Sequence, residues 1–163
     1  MWHLAILVAF AGCGRIGFDT SQDAATQPDA SDATRPDVPA GACANDPRYV
    51  EVAGLPSRYK TVALDVSWND AREDCAADGA YLTIPDDALE AASDAIGDWI
   101  GITDEVEEGT WMTLEGVPAT FLPWQPGQPD GGVGENCARL DDGLDQLEDR
   151  ACTDTRDYSC ECE

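Results

Sequence analysis

The chain has 163 residues, enough for one domain with a hydrophobic core and additional tails. Asp and Glu together number 33, against 9 Lys and Arg, and the formal net charge is -24. A surface this acidic repels phosphate backbones, which argues against nucleic acid as a partner, and it attracts cations.

The N-terminal segment has the features of an export signal. Residues 4–10 are apolar but too few to span a bilayer, and small residues precede Cys13. This pattern resembles a bacterial lipoprotein signal, which implies cleavage before Cys13 and lipid attached to that cysteine. We therefore predict a signal peptide over residues 1–12 and an exported lipoprotein of the bacterial cell envelope, held at the membrane only through this lipid. The alternative is an ordinary secretory signal and a secreted product.

Six cysteines follow Cys13, and their even number in an exported chain predicts disulfide bonds, although the count leaves the pairing open. The only histidine, His3, lies in the predicted signal peptide. Zinc binding and any His-dependent catalysis are therefore poor explanations of the mature chain. We expect a binding protein and not an enzyme. The six cysteines are Cys43, Cys75, Cys137, Cys152, Cys160 and Cys162.

Residues 13–42 are predicted to form a disordered tether. They are rich in Asp, Ala, Thr and Pro and contain few apolar side chains, so they cannot bury enough surface to fold. The globular domain is predicted to extend over residues 43–163.

A strand and an amphipathic helix are predicted near the start of this domain. Residues 58–64 mix Tyr, Val and Leu with polar residues, which favours a strand. Ser67 is a helix-capping residue type, and Trp68, Ala71 and Cys75 follow at the spacing of one buried helical face.

A second helix and a series of short strands follow. Asp87 is the predicted N-cap of the second helix, with Leu89, Ala92 and Ile96 on its buried face. Short strands are predicted over residues 80–84, 98–102, 110–114, 136–140, 144–152 and 158–162. Two helices followed mostly by strands and long loops predict the α+β class.

The most distinctive stretch is the loop from Trp124 to Cys137, called the long loop below. It is rich in proline and glycine, which excludes a helix or an interior strand. A long loop that begins and ends at core residue types is typical of a functional site. Gln128, Asp130 and Glu135 offer oxygen atoms on it, and oxygen ligands on an irregular backbone favour a hard cation, most simply calcium.

Motifs in a characteristic order along residues 59–161 match those of a known family. They are Trp68-x-x-Ala71-x-x-x-Cys75, Trp99-Ile100-Gly101-Ile102, Gly109-Thr110-Trp111, Trp124-x-x-Gly127-x-Pro129-Asp130, Gly134-Glu135-Asn136-Cys137 and Tyr158-Ser159-Cys160-Glu161. On these residues the chain resembles a C-type lectin-like domain. The resemblance implies an α+β fold with two helices, two small antiparallel sheets, stabilising disulfides and a long calcium-binding loop.

The resemblance also implies a disulfide pairing. Members of the family join the cysteine of the first helix to the last strand, and the cysteine of the long loop to one shortly downstream. In this chain the implied pairs are Cys75–Cys160 and Cys137–Cys152. The two ends of the fold lie side by side, which implies a third pair, Cys43–Cys162.

A principal calcium ion is implied on the long loop and the strand that follows it. The family binds this ion with a tripeptide around a proline that is usually cis, a glutamate before the loop cysteine, and a Trp-Asn-Asp motif. The implied metal ligands in this chain are Gln128, Asp130, Glu135, Glu148 and Asp149. Leu147 and Glu148 depart from the Trp-Asn-Asp motif, and a carboxylate, unlike an amide, cannot donate to a sugar hydroxyl at neutral pH.

The charges of these residues give a separate argument for a metal. Four carboxylates that converge need a cation or raised pKa values. The alternative is a solvated acidic loop without metal. Some members of the family bind an auxiliary ion, and Asp104, Glu108 and the shared Glu135 match that site. Asn136 offers it an amide where the family usually has a carboxylate, so the implied auxiliary residues are Asp104, Glu108 and Asn136.

A Gln-Pro-Asp tripeptide in this family implies ligands of the galactose type, contacted here by Gln128, Asp130, Glu135 and Glu148. The residues after the tripeptide, 131–133, include no aromatic ring to stack on a sugar. The predicted function is calcium-dependent carbohydrate binding by a module displayed on a bacterial surface lipoprotein. The alternative is a calcium-stabilised domain for protein binding or adhesion, without sugar binding.

Overall fold

The computed structural model describes residues 41–141 and 143–163. The predicted signal peptide, the predicted lipid attachment at Cys13 and nearly all of the predicted tether lie outside the described residues. These three assignments therefore stay predictions.

Two helices and eight strands make up the regular structure of the described residues. In chain order they are β1 (Val50–Glu51), β2 (Arg58–Val66), α1 (Trp68–Ala77), β3 (Tyr81–Leu82), α2 (Ala88–Ala91), β4 (Trp99–Thr103), β5 (Met112–Thr113), β6 (Cys137–Asp141), β7 (Gln146–Arg150) and β8 (Arg156–Cys162). Short 3-10 helices cover Ala42–Asn45 and Gly132–Gly134. The α+β class predicted from the sequence is confirmed.

The strands form one mixed sheet in the order β1-β2-β8-β4-β6-β7, with β3 beside β8 and β5 beside β4. All neighbouring strands are antiparallel except β4 and β8, which pair in parallel at Trp99 and Tyr158. The resemblance implies two small antiparallel sheets, and the structure joins them into one sheet through this single parallel pairing.

Helix α1 forms as its sequence predicts. Ser67 is the N-cap, and its hydroxyl accepts the N–H of Asp70 at 3.2 Å. Trp68, Ala71 and Cys75 are buried on one face. The Trp68 Nε1–H donates to the carbonyl of Ile100 at 2.8 Å, which links α1 to β4.

Helix α2 is shorter than predicted, and a different side chain faces the core. Leu89 is 62% exposed, whereas Glu90 is buried at 3%. The Glu90 carboxylate accepts the N–H of Asp86 and the hydroxyl of Tyr59. The prediction that Leu89 and Ala92 are buried is wrong, since Ala92 is exposed as well. The buried hydrogen bonds hold Glu90 on the inner side of this single helical turn instead. Ile96 is buried, but it lies beyond the helix.

Three disulfides crosslink the domain, and they are the pairs that the resemblance implies. Cys43–Cys162 joins its two ends, and Cys75–Cys160 joins α1 to β8. Cys137–Cys152 joins the end of the long loop to the segment after β7. Within the described ranges, no helix has the length and apolar character needed to cross a membrane.

Candidate metal and ligand site

The base of the long loop is attached to β7. The N–H of Gln125 donates to the carbonyl of Leu147, and the N–H of Leu147 donates to the carbonyl of Pro123, each at 2.9 Å. Trp124 packs edge-to-face on Trp111, with 4.8 Å between the ring centroids. Leu147, which stands where the family motif has tryptophan, is 1% exposed and is a packing residue.

The tripeptide Gln128-Pro129-Asp130 lies against the end of β7. Its Gln128–Pro129 peptide bond is cis, as is usual in the family. The Gln128 side chain accepts the N–H of Asp149 at 3.2 Å and donates to the Asp130 carboxylate at 2.9 Å. This amide therefore links the loop to the strand and orients Asp130.

Three acidic side chains converge at this point and are called the acid group below. Carboxylate oxygens of Asp130, Glu135 and Asp149 lie within 4.8 Å of one another. Asp149 is 1% exposed, and its carboxylate accepts the backbone N–H groups of Asp130 at 3.0 Å and Gly131 at 2.9 Å. The fold of the loop thus depends on Asp149 even before any ligand is considered.

Gly131 leaves the space in which Glu135 lies. A Cβ atom at position 131 would come within 2.3 Å of the Glu135 side chain, a distance that real structures do not contain. Glycine at this position therefore allows Glu135 to reach the other two acids.

The electrostatics of the acid group favour a bound cation. Loss of solvation raises the pKa of Glu135, and the charges of Asp149 and Asp130 raise it further, while Arg150 lowers it. A divalent ion would relieve this repulsion. The donors are all oxygen atoms, from three carboxylates and the Gln128 amide, and such a set suits calcium. The residues present thus fit the ion that the family implies.

Glu148 is predicted from the sequence to be a metal and sugar ligand, but the structure does not bring it into the acid group. It is 5% exposed, and its carboxylate pairs with Arg139 and, at 2.5 Å, with Arg150. The sequence predicts no pairing of Glu148 with either arginine. The strand register identifies Arg139, which lies directly opposite Glu148 on the paired strands β6 and β7. The two-residue period of a strand identifies Arg150, which lies on the same face of β7 as Glu148.

Two residues of the predicted auxiliary site, Asp104 and Asn136, lie next to each other. The N–H of Asp104 donates to the carbonyl of Asn136 at 3.1 Å. Asp104 Oδ2 accepts the N–H of Gly109 at 2.7 Å, whereas Asp104 Oδ1 and Asn136 Oδ1 are buried without a hydrogen-bond partner among the described residues. Buried acceptors without donors are rare, and a cation or water would satisfy them.

Glu108 is the third residue of the predicted auxiliary site. Loss of solvation raises the pKa of its carboxyl group, and the charges of Asp104 and Asp149 raise it further. A cation bound beside Asp104 or Asp149 would offset these charges and favour the ionised form of Glu108.

The structure is thus a disulfide-stabilised α+β domain whose long loop and β7 bring three carboxylates together. The sequence profile of the Lectin C-type domain family matches residues 65–162. The chain belongs to this family, and the predicted C-type lectin fold is confirmed.

Curated relatives share about a third of their aligned residues with this chain. C-type lectin domain family 3 member A of Homo sapiens is 34% identical over 105 residues, which cover 58% of this chain and 53% of the relative. Tetranectin of Homo sapiens is 33% identical over 109 residues, which cover 58% of this chain and 54% of the relative. This chain therefore spans about half the length of these curated relatives.

Solved structures share the fold. The mouse scavenger receptor C-type lectin carbohydrate-recognition domain superposes with a TM-score of 0.64 at 27% identity, covering 72% of this chain and 95% of that chain. Herring type II antifreeze protein superposes with a TM-score of 0.61 at 23% identity, covering 71% of this chain and 96% of that chain. At 23% identity, the similarity to the antifreeze protein supports the assignment of the fold and nothing further about this chain.

Proposed function

We propose that this domain is a calcium-dependent carbohydrate-binding module whose ion is held by Gln128, Asp130, Glu135 and Asp149. The observation that carries the proposal is the acid group, whose oxygens lie within 4.8 Å of one another on the long loop and β7. Bound calcium would supply open coordination positions for ligand hydroxyls. Similarity to a domain named for carbohydrate recognition supports the proposal.

The proposed ligand class is a galactose-type sugar, on the strength of the Gln-Pro-Asp tripeptide. Gln128 offers an amide, while Asp130 and Glu135 offer carboxylates, so the order of donors and acceptors around the ion is set by this tripeptide. The loop adds no ring for stacking, and Val133 is 82% exposed. We therefore expect weak affinity for a single sugar.

A calcium-ordered protein-binding or adhesion domain is the second candidate. One observation favours it: the Glu148 carboxylate, at a position where the family's amide meets sugar, is held by Arg139 and Arg150. A carboxylate with two guanidinium partners is not available to a sugar hydroxyl. In this case calcium would order the loop, and a protein surface would replace the sugar.

A glycan array probed with the purified protein, with and without a calcium chelator, separates the two candidates. The lectin proposal expects signals on galactose-terminated glycans that the chelator abolishes. The matched control exchanges acid and amide, Gln128→Glu with Asp130→Asn, and should move the preference towards mannose-type glycans. Calcium binding in calorimetry without any glycan signal would favour the protein-binding candidate.

A second ion is proposed at Asp104, Glu108 and Asn136, supported by the two buried oxygens that lack partners. Titration calorimetry should then give two calcium ions per chain. Asn136→Leu should reduce the count to one while the acid group still binds its ion. An unchanged count in that variant would exclude the auxiliary site.

We also propose that the domain is displayed on a bacterial cell envelope by lipid on Cys13. The six remaining cysteines form three disulfides, which supports an oxidising compartment outside the cytosol. Cys13 is the one cysteine of the chain that has no place in this disulfide set. The intact mass of membrane-extracted protein should show acyl chains on a chain beginning at Cys13, and Cys13→Ser should lose them. A soluble chain with a different start would contradict the anchor.

A further inference from the structure

We infer that Arg139 and Arg150 hold Glu148 outside the calcium site, and that Arg150 lowers the calcium affinity by competing with the ion for its ligands. The inference rests on the proposed calcium site, since it concerns which residues of the chain reach that ion.

The first step of the argument is the environment of Glu148. Its carboxylate is buried between two guanidinium groups, with Arg139 opposite it on β6 and Arg150 two residues along β7. The Arg139 side chain is itself only 14% exposed. Separating a buried ion pair is costly because it leaves unpaired charge in a poorly solvated place.

Arg139 is in turn fixed by further acids. It pairs with Asp98 at 3.0 Å and with Asp141 at 3.5 Å. These contacts hold the Arg139 side chain in place. Glu148 would therefore have to break its ion pair with Arg139 in order to ligate a metal. If Glu148 left the arginines for a metal ion, it would only exchange one set of charge partners for another, so the net gain in free energy would be small.

Arg150 lies between Glu148 and the acid group. Its guanidinium contacts Glu148 at 2.5 Å and lies 3.4 Å from the carbonyl oxygen of Asp149 and 3.9 Å from the Glu135 carboxylate. Glu135 is a proposed ligand, and the Asp149 carbonyl is an oxygen that the family uses for calcium. Arg150 thus places a positive charge on the same oxygens that the ion requires, and like charges repel at this range.

The Arg150 side chain is 28% exposed, twice the exposed fraction of Arg139. It is therefore the partner that can be replaced with less damage to the core. Its removal would take one positive charge away from the ion and leave Glu148 with Arg139 alone.

Titration calorimetry of the full chain with calcium chloride tests the inference. Arg150→Gln should bind calcium about tenfold more tightly than wild type, because a cation a few ångströms from the ion is lost. Arg150→Lys keeps the charge and should remain close to wild type. Arg72→Gln makes the same change in net charge on α1, away from the loop, and should leave the affinity unchanged.

A double variant tests whether Glu148 is a ligand. In Arg150→Gln with Glu148→Met the two opposite charges are removed together and position 148 offers no oxygen to the ion, so the affinity should remain within about threefold of wild type. If Glu148 ligates calcium in the wild type, the double variant should instead lose tenfold or more, and the inference is overturned. Melting temperatures in chelator confirm that each variant is folded.

The outcomes also separate the inference from the proposed function. A wild-type protein that takes up no calcium contradicts the proposed function itself. A wild-type protein that binds calcium, together with an Arg150→Gln variant of unchanged affinity, contradicts the inference and leaves the proposed function intact.

Discussion

Glu148 and Asp149 are neighbours on β7, yet their carboxylates have different partners. Asp149 accepts the backbone N–H groups of Asp130 and Gly131 and lies in the acid group, whereas Glu148 pairs with Arg139 and Arg150. Successive side chains of a strand point to opposite faces, so adjacent acids meet different surroundings. β7 therefore contributes one carboxylate to the candidate ion site and uses the other to hold two arginines.

Asp149→Ala should abolish calcium binding at the acid group and so remove the stabilisation that this ion supplies. It should also lower stability in chelator by about 1–3 kcal/mol, because two backbone N–H groups lose their acceptor. Thermal melts with and without calcium measure both effects. Glu107→Ala, an exposed acid in another loop, is the control and should keep the calcium-induced rise in melting temperature. A rise as large in Asp149→Ala as in the wild type would show that the acid group does not hold the ion.

Gly131→Ala should weaken calcium binding without unfolding the domain. The added Cβ would come within 2.3 Å of the Glu135 side chain, which must then leave the acid group. Gly134→Ala is a matched control, because a Cβ at that position meets no atom within 4 Å. Calorimetry should give weaker binding for the first variant and near wild-type binding for the second. Equal affinities would mean that Glu135 is not a ligand.

Glu161 should make stability depend on pH in the neutral range. Burial raises the pKa of its carboxyl group from 4.5 to about 7, with Glu90 and Asp86 adding to the effect and Ser57 and the Ile84 N–H opposing it. The folded state therefore binds a proton that the unfolded state has released. The contribution of Glu161 to stability is complete below pH 4.5 and is lost as the pH rises through about 7.

Urea unfolding in chelator across this pH range measures the effect of Glu161. The wild type should lose stability relative to Glu161→Gln as the pH rises, by roughly 1.4 kcal/mol for each unit of pKa difference. Glu107→Gln should follow the wild-type pH profile. Parallel profiles for wild type and Glu161→Gln would show that Glu161 does not titrate in this range.

The disulfide between Cys137 and Cys152 should stabilise both the domain and the metal site. Its cysteines are 15 residues apart, and a loop of that size corresponds to about 3 kcal/mol in the chain-entropy account. The double change to serine should lose about this much in urea unfolding. It should also weaken calcium binding, because Glu135 lies two residues before Cys137. Wild-type calcium affinity in that variant would show that the loop orders itself without the crosslink.

Local sequence patterns were sufficient to predict much of the fold. The helical spacing of Trp68, Ala71 and Cys75 predicted α1, and Ser67 predicted its start, because an amphipathic helix and its cap are encoded within a few turns. The long loop was equally visible, since proline and glycine restrict the backbone wherever they occur. Gln128, Asp130, Glu135 and Asp149, named from the sequence as oxygen ligands, lie together in the structure.

Other features depend on contacts between distant segments. Leu89 was predicted to be buried from its hydrophobicity, but the hydrogen bond of Glu90 with Tyr59, 31 residues away, determines which side of α2 faces inward. Glu148 was predicted to be a ligand from its place in a motif. Its partner Arg139 is set by the register of β6 on β7, and register is a property of the paired strands. The sequence determined which residue types are present at each site, while tertiary structure alone decided which charges meet, because buried polar groups take the partners that the folded chain brings to them.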